Sequence, residues 1–167
     1  MFSDPMEPPL SVAISVIMQG NKVLLLETVK GPYAGLIGLP GGKIEGNEHA
    51  SDAAVRELLE ESGIKSKVKK CLGVVSELFM ENNEVRHHFM LSVFDMEFRG
   101  YGEITDKHKG RKLEWLDLST IKENRQRIIP SDFLLLERLA GNTRTSYYDC
   151  VLEKEGDTVH LRKFEEV

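Results

Sequence analysis

GKIEGNEHASDAAVRELLEESGI, from Gly42 to Ile64, joins a glycine-rich segment to a helix-forming one. Asn47 is placed to cap a helix running from Glu48 to about Ser62, and Gly63 is placed to end it. Ala50, Ala53, Ala54, Leu58 and Leu59 supply an apolar side at helical spacing. Glu57, Glu60 and Glu61 stand three and four residues apart, so they are neighbours on one helix face. On a solvated surface their repulsion costs a few tenths of a kcal/mol per pair, and a plain acidic face is the commoner meaning of such a cluster. Burial changes the balance. Two carboxylates about 5 Å apart repel by roughly 3 kcal/mol at an effective dielectric near 20, and a cleft holding all three needs a cation. Removing one of the charges without that cation is expected to leave stability unchanged or raised.

Outward from this stretch, Gly31 to Gly46 holds six glycines with Pro32 and Pro40. It reads as a long shaped loop with a brief strand at Leu36 to Leu39. Its glycines allow bare backbone to approach a metal or a phosphate closely. Upstream, Ser11 to Met18 and Lys22 to Val29 flank Gly20-Asn21 as a hairpin. Downstream come strands at Val68 to Leu78 and Val85 to Phe98 around a Glu81-Asn82-Asn83 turn, then a strand at Leu113 to Leu118 and a short helix at Ser119 to Glu123. Ser131 is placed to cap a helix through Leu139. Thr145 to Leu152 and Thr158 to Lys163 pair around Gly156-Asp157. The pattern predicts a mixed α/β domain over residues 10–167, preceded by a flexible lead-in at residues 1–9.

The 167 residues suffice for one core. With 41% hydrophobic and 29% charged residues, the composition is that of a soluble globular protein. No apolar run approaches the ~20 residues of a spanning helix, so no membrane partner is expected. The first ten residues carry three prolines and no base, unlike a signal peptide, and the cytoplasm is the expected compartment. Cys71 and Cys150 show no ligand spacing and read as small hydrophobes in a reducing compartment. A net charge of −5, with no dominant basic stripe, excludes a nucleic-acid scaffold. The Lys65, Lys67, Lys69, Lys70 cluster alternates with smaller residues and reads as a solvated strand face. An acidic protein still binds polyphosphate when a divalent metal bridges the two negative charges.

The joint spacing is far more specific than any one of these features. Gly42, five residues, Glu48, seven residues, then Arg56-Glu57-Leu58-Leu59-Glu60-Glu61-Ser62-Gly63-Ile64 resembles the Nudix box at every specified position. Seven fixed residues and two aliphatic positions give roughly one chance in 10⁹ per start at average residue usage. Leu39-Pro40-Gly41-Gly42 also resembles the family's approach to the box. Ile37 stands where many members have tryptophan.

The resemblance implies the Nudix fold, a mixed sheet sandwiched between helices with the box as loop-helix-loop. It implies metal binding by Glu57, Glu60 and Glu61, with the Gly42 carbonyl as a further ligand. It also implies that Arg56 orients the glutamates, that Glu48 is structural, and that Glu57 is the candidate general base. Magnesium, with manganese able to replace it, is the implied cofactor.

A further acid from a later loop, as some members use, would come from Gly102 to Leu113, which contains Glu103, Asp106 and His108. His87-His88 puts one ring on each face of its strand. Trp115 is expected to anchor the core, and Tyr147-Tyr148 to split between core and surface.

The resemblance implies hydrolysis of a phosphoanhydride in a nucleoside diphosphate derivative. No proline occurs between Pro40 and Pro130, so the mark of ADP-ribose pyrophosphatases is missing. Met80-Glu81-Asn82 replaces the tyrosine of dinucleoside polyphosphate hydrolases, and the zinc ribbon of NADH pyrophosphatases is absent. By exclusion, the expected activity is MutT-like: a nucleoside triphosphate, oxidised or non-standard ones included, cleaved to monophosphate and pyrophosphate. ADP-ribose, a nucleotide sugar or a dinucleotide is the alternative substrate. A sensor that binds nucleotides without cleaving them is the alternative class, although no box glutamate has been lost. The C-terminal hairpin offers an edge for a homodimer.

Overall fold

The computed structural model describes residues 7–103, 110–139 and 144–167. Strand β1 (Leu10–Gln19) turns at Gly20, whose φ is 60°, into β2 (Lys22–Glu27). The two pair only beside the turn, at Met18↔Val23 and Gln19↔Lys22. Beyond it they diverge. β1 takes β4 (Gly41–Lys43) antiparallel on one side and β6 (Glu84–Tyr101) parallel on the other. β2 takes β3 (Ile37–Gly38) and β7 (Leu113–Asp117), both antiparallel.

Strand β5 (Ile64–Glu81) begins directly after the Gly63 helix stop and forms a long antiparallel hairpin with β6. Asn82 and Asn83 turn that hairpin with φ of 54° and 60°, the paired positive values of a tight two-residue loop. β5 also pairs in parallel with β8 (Ser146–Glu155), and β9 (Thr158–Glu166) closes this end of the sheet. Parallel and antiparallel pairs thus coexist, and among the described residues two α-helices cover the sheet, the mixed α+β architecture that the resemblance implies.

Alternation along the strands explains the two cores. In β2, Val23 and Leu25 point into one cluster, and Leu24 and Leu26 into the other. A strand buried on both faces reads as an unbroken apolar run, as β2 does. Helix α1 (Ala50–Ser62) fills one side with Ala53, Ala54 and Leu58. Helix α2 (Pro130–Leu139) fills the other with Phe133, Leu135 and Leu136. Trp115 is half-buried against the α1-side core, and Tyr148 is buried and stacked on Phe164 while Tyr147 is exposed. Lys65, Lys67, Lys69 and Lys70 are all exposed. Both cysteines are free, with Cys150 buried and Cys71 half-buried.

Two helix starts differ from expectation. Asn47 does not cap α1. The helix begins at Ala50 after His49, whose side chain makes no cap bond, and Gly63 (φ 73°) ends it as predicted. The reason lies in Glu48, whose carboxylate accepts the Glu45 N–H at 2.9 Å and holds residues 45–48 in a turn. Likewise Ser131 does not precede α2. Pro130 is the first helical residue, where a missing N–H costs nothing, and Ser131 is buried inside the helix. The short helix after β7 is a 3₁₀ turn, Leu118–Thr120, capped by Asp117. No helix among the described residues is long and apolar enough to cross a membrane.

Candidate active site

Strand β4 and the last turns of α1 bring Gly41, Gly42 and Glu57, Glu60 and Glu61 together. Arg56 organises them. Its Nε and Nη2 donate to the two oxygens of Glu48 at 3.0 and 2.6 Å, a fork-on-fork pair, and Nη2 also reaches the Lys43 carbonyl at 3.1 Å. Nη1 donates to Glu57 at 2.8 Å and to Glu60 at 3.3 Å. Glu48 is held down to a pKa of about 2, first by its hydrogen bonds from Arg56. The geometry therefore has Glu48 bracing Arg56, and Arg56 bracing two of the three neighbouring carboxylates.

Gly42 leaves room for the Glu57 carboxylate to lie against the backbone. A Cβ at this position would collide with the Glu57 carboxylate, which lies flat against the bare backbone. Glu61 is the most enclosed of the three, with its side chain 6% exposed. The Gly41 N–H donates to its Oε2 at 3.0 Å, and Arg111 Nη1 donates to its Oε1 at 2.7 Å. Burial pushes Glu61 up to about 7, against the pull of Arg111 and Gly41. Arg111 is anchored in turn by the Glu27 carbonyl, 2.9 Å from Nη2 and 3.2 Å from Nε.

The donor set is all hard oxygen, three carboxylates on one helix face beside a glycine backbone. That chemistry suits a hard divalent ion. As they stand, the carboxylates turn towards Arg56 and Arg111, and among the described residues no group of three or more converges closely enough to hold a metal.

From Glu61 and Arg111 a cleft of 210 Å³ runs inward between β1, the 28–36 loop and α2. This is short of the ~300 Å³ that encloses a whole drug-sized ligand, so it fits one part of a ligand. Its walls are mainly apolar, including Ile14, Phe89 and Ile129, and Tyr33, Glu77 and Asp132 also line it. Tyr33 sits on a turn flanked by Gly31 (φ 79°) and Gly35 (φ 92°), and its hydroxyl donates to Glu77 Oε1. Asp132 Oδ2 accepts the Leu39 N–H at 2.9 Å.

Of the other candidates, Glu103 is exposed, and Asp106 and His108 lie outside the described residues. His87 stacks on Phe89 and His88 meets Ser76 Oγ at 3.0 Å; neither lines the cleft. Arg111, Glu77 and Asp132 are absent from the sequence-based candidates. A signal existed for the two acids. Glu77 alternates in phase with the core residues Val75 and Phe79, and Asp132 lies three and four residues before Leu135 and Leu136. For Arg111 no periodic signal exists, because it lies outside any helix or strand.

The NUDIX domain family profile matches residues 8–139. The chain belongs to that family, whose hydrolases act on pyrophosphate bonds and generally need divalent metal ions.

Among particular proteins, the chain is similar to the ADP-ribose pyrophosphatase of Methanocaldococcus jannaschii, with 34% identity over 113 residues, covering 68% of this chain and 64% of that protein. It is also similar to the mouse diphosphoinositol polyphosphate phosphohydrolase 3-alpha, with 33% identity over 101 residues, covering 59% and 56%. The chain thus spans less than two thirds of the length of these relatives. In fold it is similar to the MutT protein of Bacillus halodurans, with a TM-score of 0.71 and 22% identity, covering 94% of this chain and 97% of that one.

Proposed function

We propose that this protein hydrolyses a phosphoanhydride bond in a nucleoside diphosphate derivative, and that its substrate is a nucleoside triphosphate cleaved to monophosphate and pyrophosphate. The observation that carries the reading is the placement of Glu57, Glu60 and Glu61 on one helix face, with Glu61 lining a cleft sized for part of a ligand. The three carboxylates and the Gly42 carbonyl would hold magnesium, or manganese in its place. When bound, such an ion stabilises charge on phosphate oxygens and lowers the pKa of water.

The chain's own residues supply the rest. Arg56 holds Glu57 and Glu60 in place, and Glu57, pressed against Gly42, takes the proton from the attacking water. The water oxygen bonds to the inner or middle phosphorus, the bridging P–O bond between those two phosphates breaks, and monophosphate and pyrophosphate separate. The apolar cleft excludes water from the base end.

The likeness to an ADP-ribose pyrophosphatase favours a second substrate, ADP-ribose, which has the same reacting group. Phosphorus NMR of the products in oxygen-18 water separates the readings. Monophosphate and pyrophosphate as the products support the triphosphate reading, the label marking whether the inner or the middle phosphorus was attacked; orthophosphate as the first product overturns it. Cleavage of ADP-ribose alone moves the substrate and keeps the bond. Binding without any cleavage makes the protein a nucleotide sensor. Activity that survives exhaustive chelation removes the metal.

A further inference from the structure

Strand β9 ends the sheet, and its outer side pairs with no strand among the described residues. An open edge of this length is a template for another strand. Its backbone orientation follows from one bond. The Val167 N–H donates to the Tyr147 carbonyl at 2.9 Å. Opposed residues of an antiparallel pair alternate between bonded and unbonded. With Glu166 opposite Tyr148, Glu165 opposite Asp149, Phe164 opposite Cys150 and Lys163 opposite Val151, Lys163 and Glu165 therefore bond to β8. Phe164 and Glu166 turn their N–H and C=O groups outward.

The side chains around Phe164 have a matching order. Arg162 and Lys163 precede it, and Glu165 and Glu166 follow it. We propose that β9 pairs edge to edge with β9 of a second copy, antiparallel and centred on Phe164, so that two sheets join across a two-fold axis. In this register Lys163 of each copy faces Glu165 of the other, and the Arg162 end of each strand lies beside the Glu166 end of the other. Centring on Lys163, Glu165 or Glu166 instead would set like charges face to face, which is unfavourable. Lys163 and Glu165 meet each other at 3.1 Å within the chain and are 39% and 67% exposed, so exchanging that contact for one across the edge costs little. Phe164 is already fixed, stacked on Tyr148 with the Arg138 guanidinium 5.2 Å over its ring. Charges and bulges commonly protect an edge, and β9 has a register shift at Arg162. The shift leaves Lys163 to Glu166 regular, and protection alone does not require opposite charges on the two sides of an outward-turned residue.

Sedimentation velocity of the full chain, from micromolar to millimolar concentration and at low and high salt, tests the proposal. The contact is small, so a weak monomer–dimer equilibrium that salt weakens further is expected. Glu165→Lys sets lysine against lysine twice and should weaken association about tenfold or more, as should Lys163→Glu with glutamate against glutamate. The double variant, Lys163→Glu with Glu165→Lys, reverses the order and stays self-complementary, and should return to within about threefold of wild type. Amide exchange gives a second readout: the Phe164 N–H should slow as concentration rises, while those of Lys163 and Glu165 stay protected throughout. A chain that remains monomeric at millimolar concentration, a dimer indifferent to the single reversals, a double variant that does not recover, or Phe164 exchange independent of concentration would overturn it. The wild-type series and its exchange decide the matter even where a variant fails to fold.

Discussion

Arg111 Nη1 stands 2.7 Å from Glu61 Oε1 and ties the segment just before β7 to the last turn of the acidic helix. The pair is largely enclosed, with side chains 18% and 6% exposed. Removing one member of such a pair strands the other charge. Arg111→Met is therefore expected to destabilise the metal-free protein by about 2 kcal/mol, discounted from the fully buried case because Arg111 keeps some solvent contact. Urea unfolding with and without magnesium checks it. An unchanged midpoint would show that Glu61 needs no partner.

Glu60→Gln and Glu61→Gln should each cut turnover by about 10²–10³-fold if the carboxylates hold the metal. Their effects on stability should differ. Glu60 is a third exposed and meets Arg56 at 3.3 Å, so its loss should stay within about 0.5 kcal/mol. Glu61→Gln removes the buried carboxylate that accepts from Arg111 Nη1 and the Gly41 N–H and should lower stability. Repulsion among the three glutamates predicts no loss for either variant, but Arg56 and Arg111 already offset that repulsion. Parallel kinetics and thermal melts separate the two effects, and near-normal turnover in Glu60→Gln would remove that residue from the metal set.

Gly42→Ala should fold and lose most activity. The added methyl meets the end of the Glu57 side chain, a movable group, and not fixed backbone. The expected result is a melting temperature within a few degrees of wild type, with a fall in kcat of about tenfold or more as Glu57 swings away. A variant with full kcat would show that Glu57 need not lie against this backbone.

Asp132 gives a pH signature. It titrates near 3.9 in the unfolded chain and at about 7 in the fold, so the folded state holds its proton more tightly. Stability is therefore greatest below about pH 4 and declines as pH rises to about 7, by up to about 4 kcal/mol from this residue. Glu77, also raised by burial, adds in the same direction. Asp132→Asn keeps an oxygen for the Leu39 N–H and should flatten the slope. Urea midpoints at pH 5 and pH 8 compare the two proteins, and an unaltered slope would place the titration elsewhere.

The sequence by itself determined the acidic helix, its Gly63 end, the Asn82-Asn83 turn, the family and the residues of the box. Each depends on neighbours within a few residues, where spacing and backbone preference suffice. It also marked both helices and most strands, because apolar periodicity survives without knowing the partner strand.

Only the tertiary structure decided that β1 leaves β2 after two residue pairs to join β6 in parallel, since strand partnership is a contest among distant segments. It alone moved the α1 start to Ala50, because Glu48 is drawn to Arg56 and the Glu45 N–H and away from any capping role. The same holds for Arg111 on Glu61, 50 residues apart, and for Glu77 beside Asp132. Charges that distant in the chain act on one another only once the sheet has carried them into a shared, poorly hydrated space.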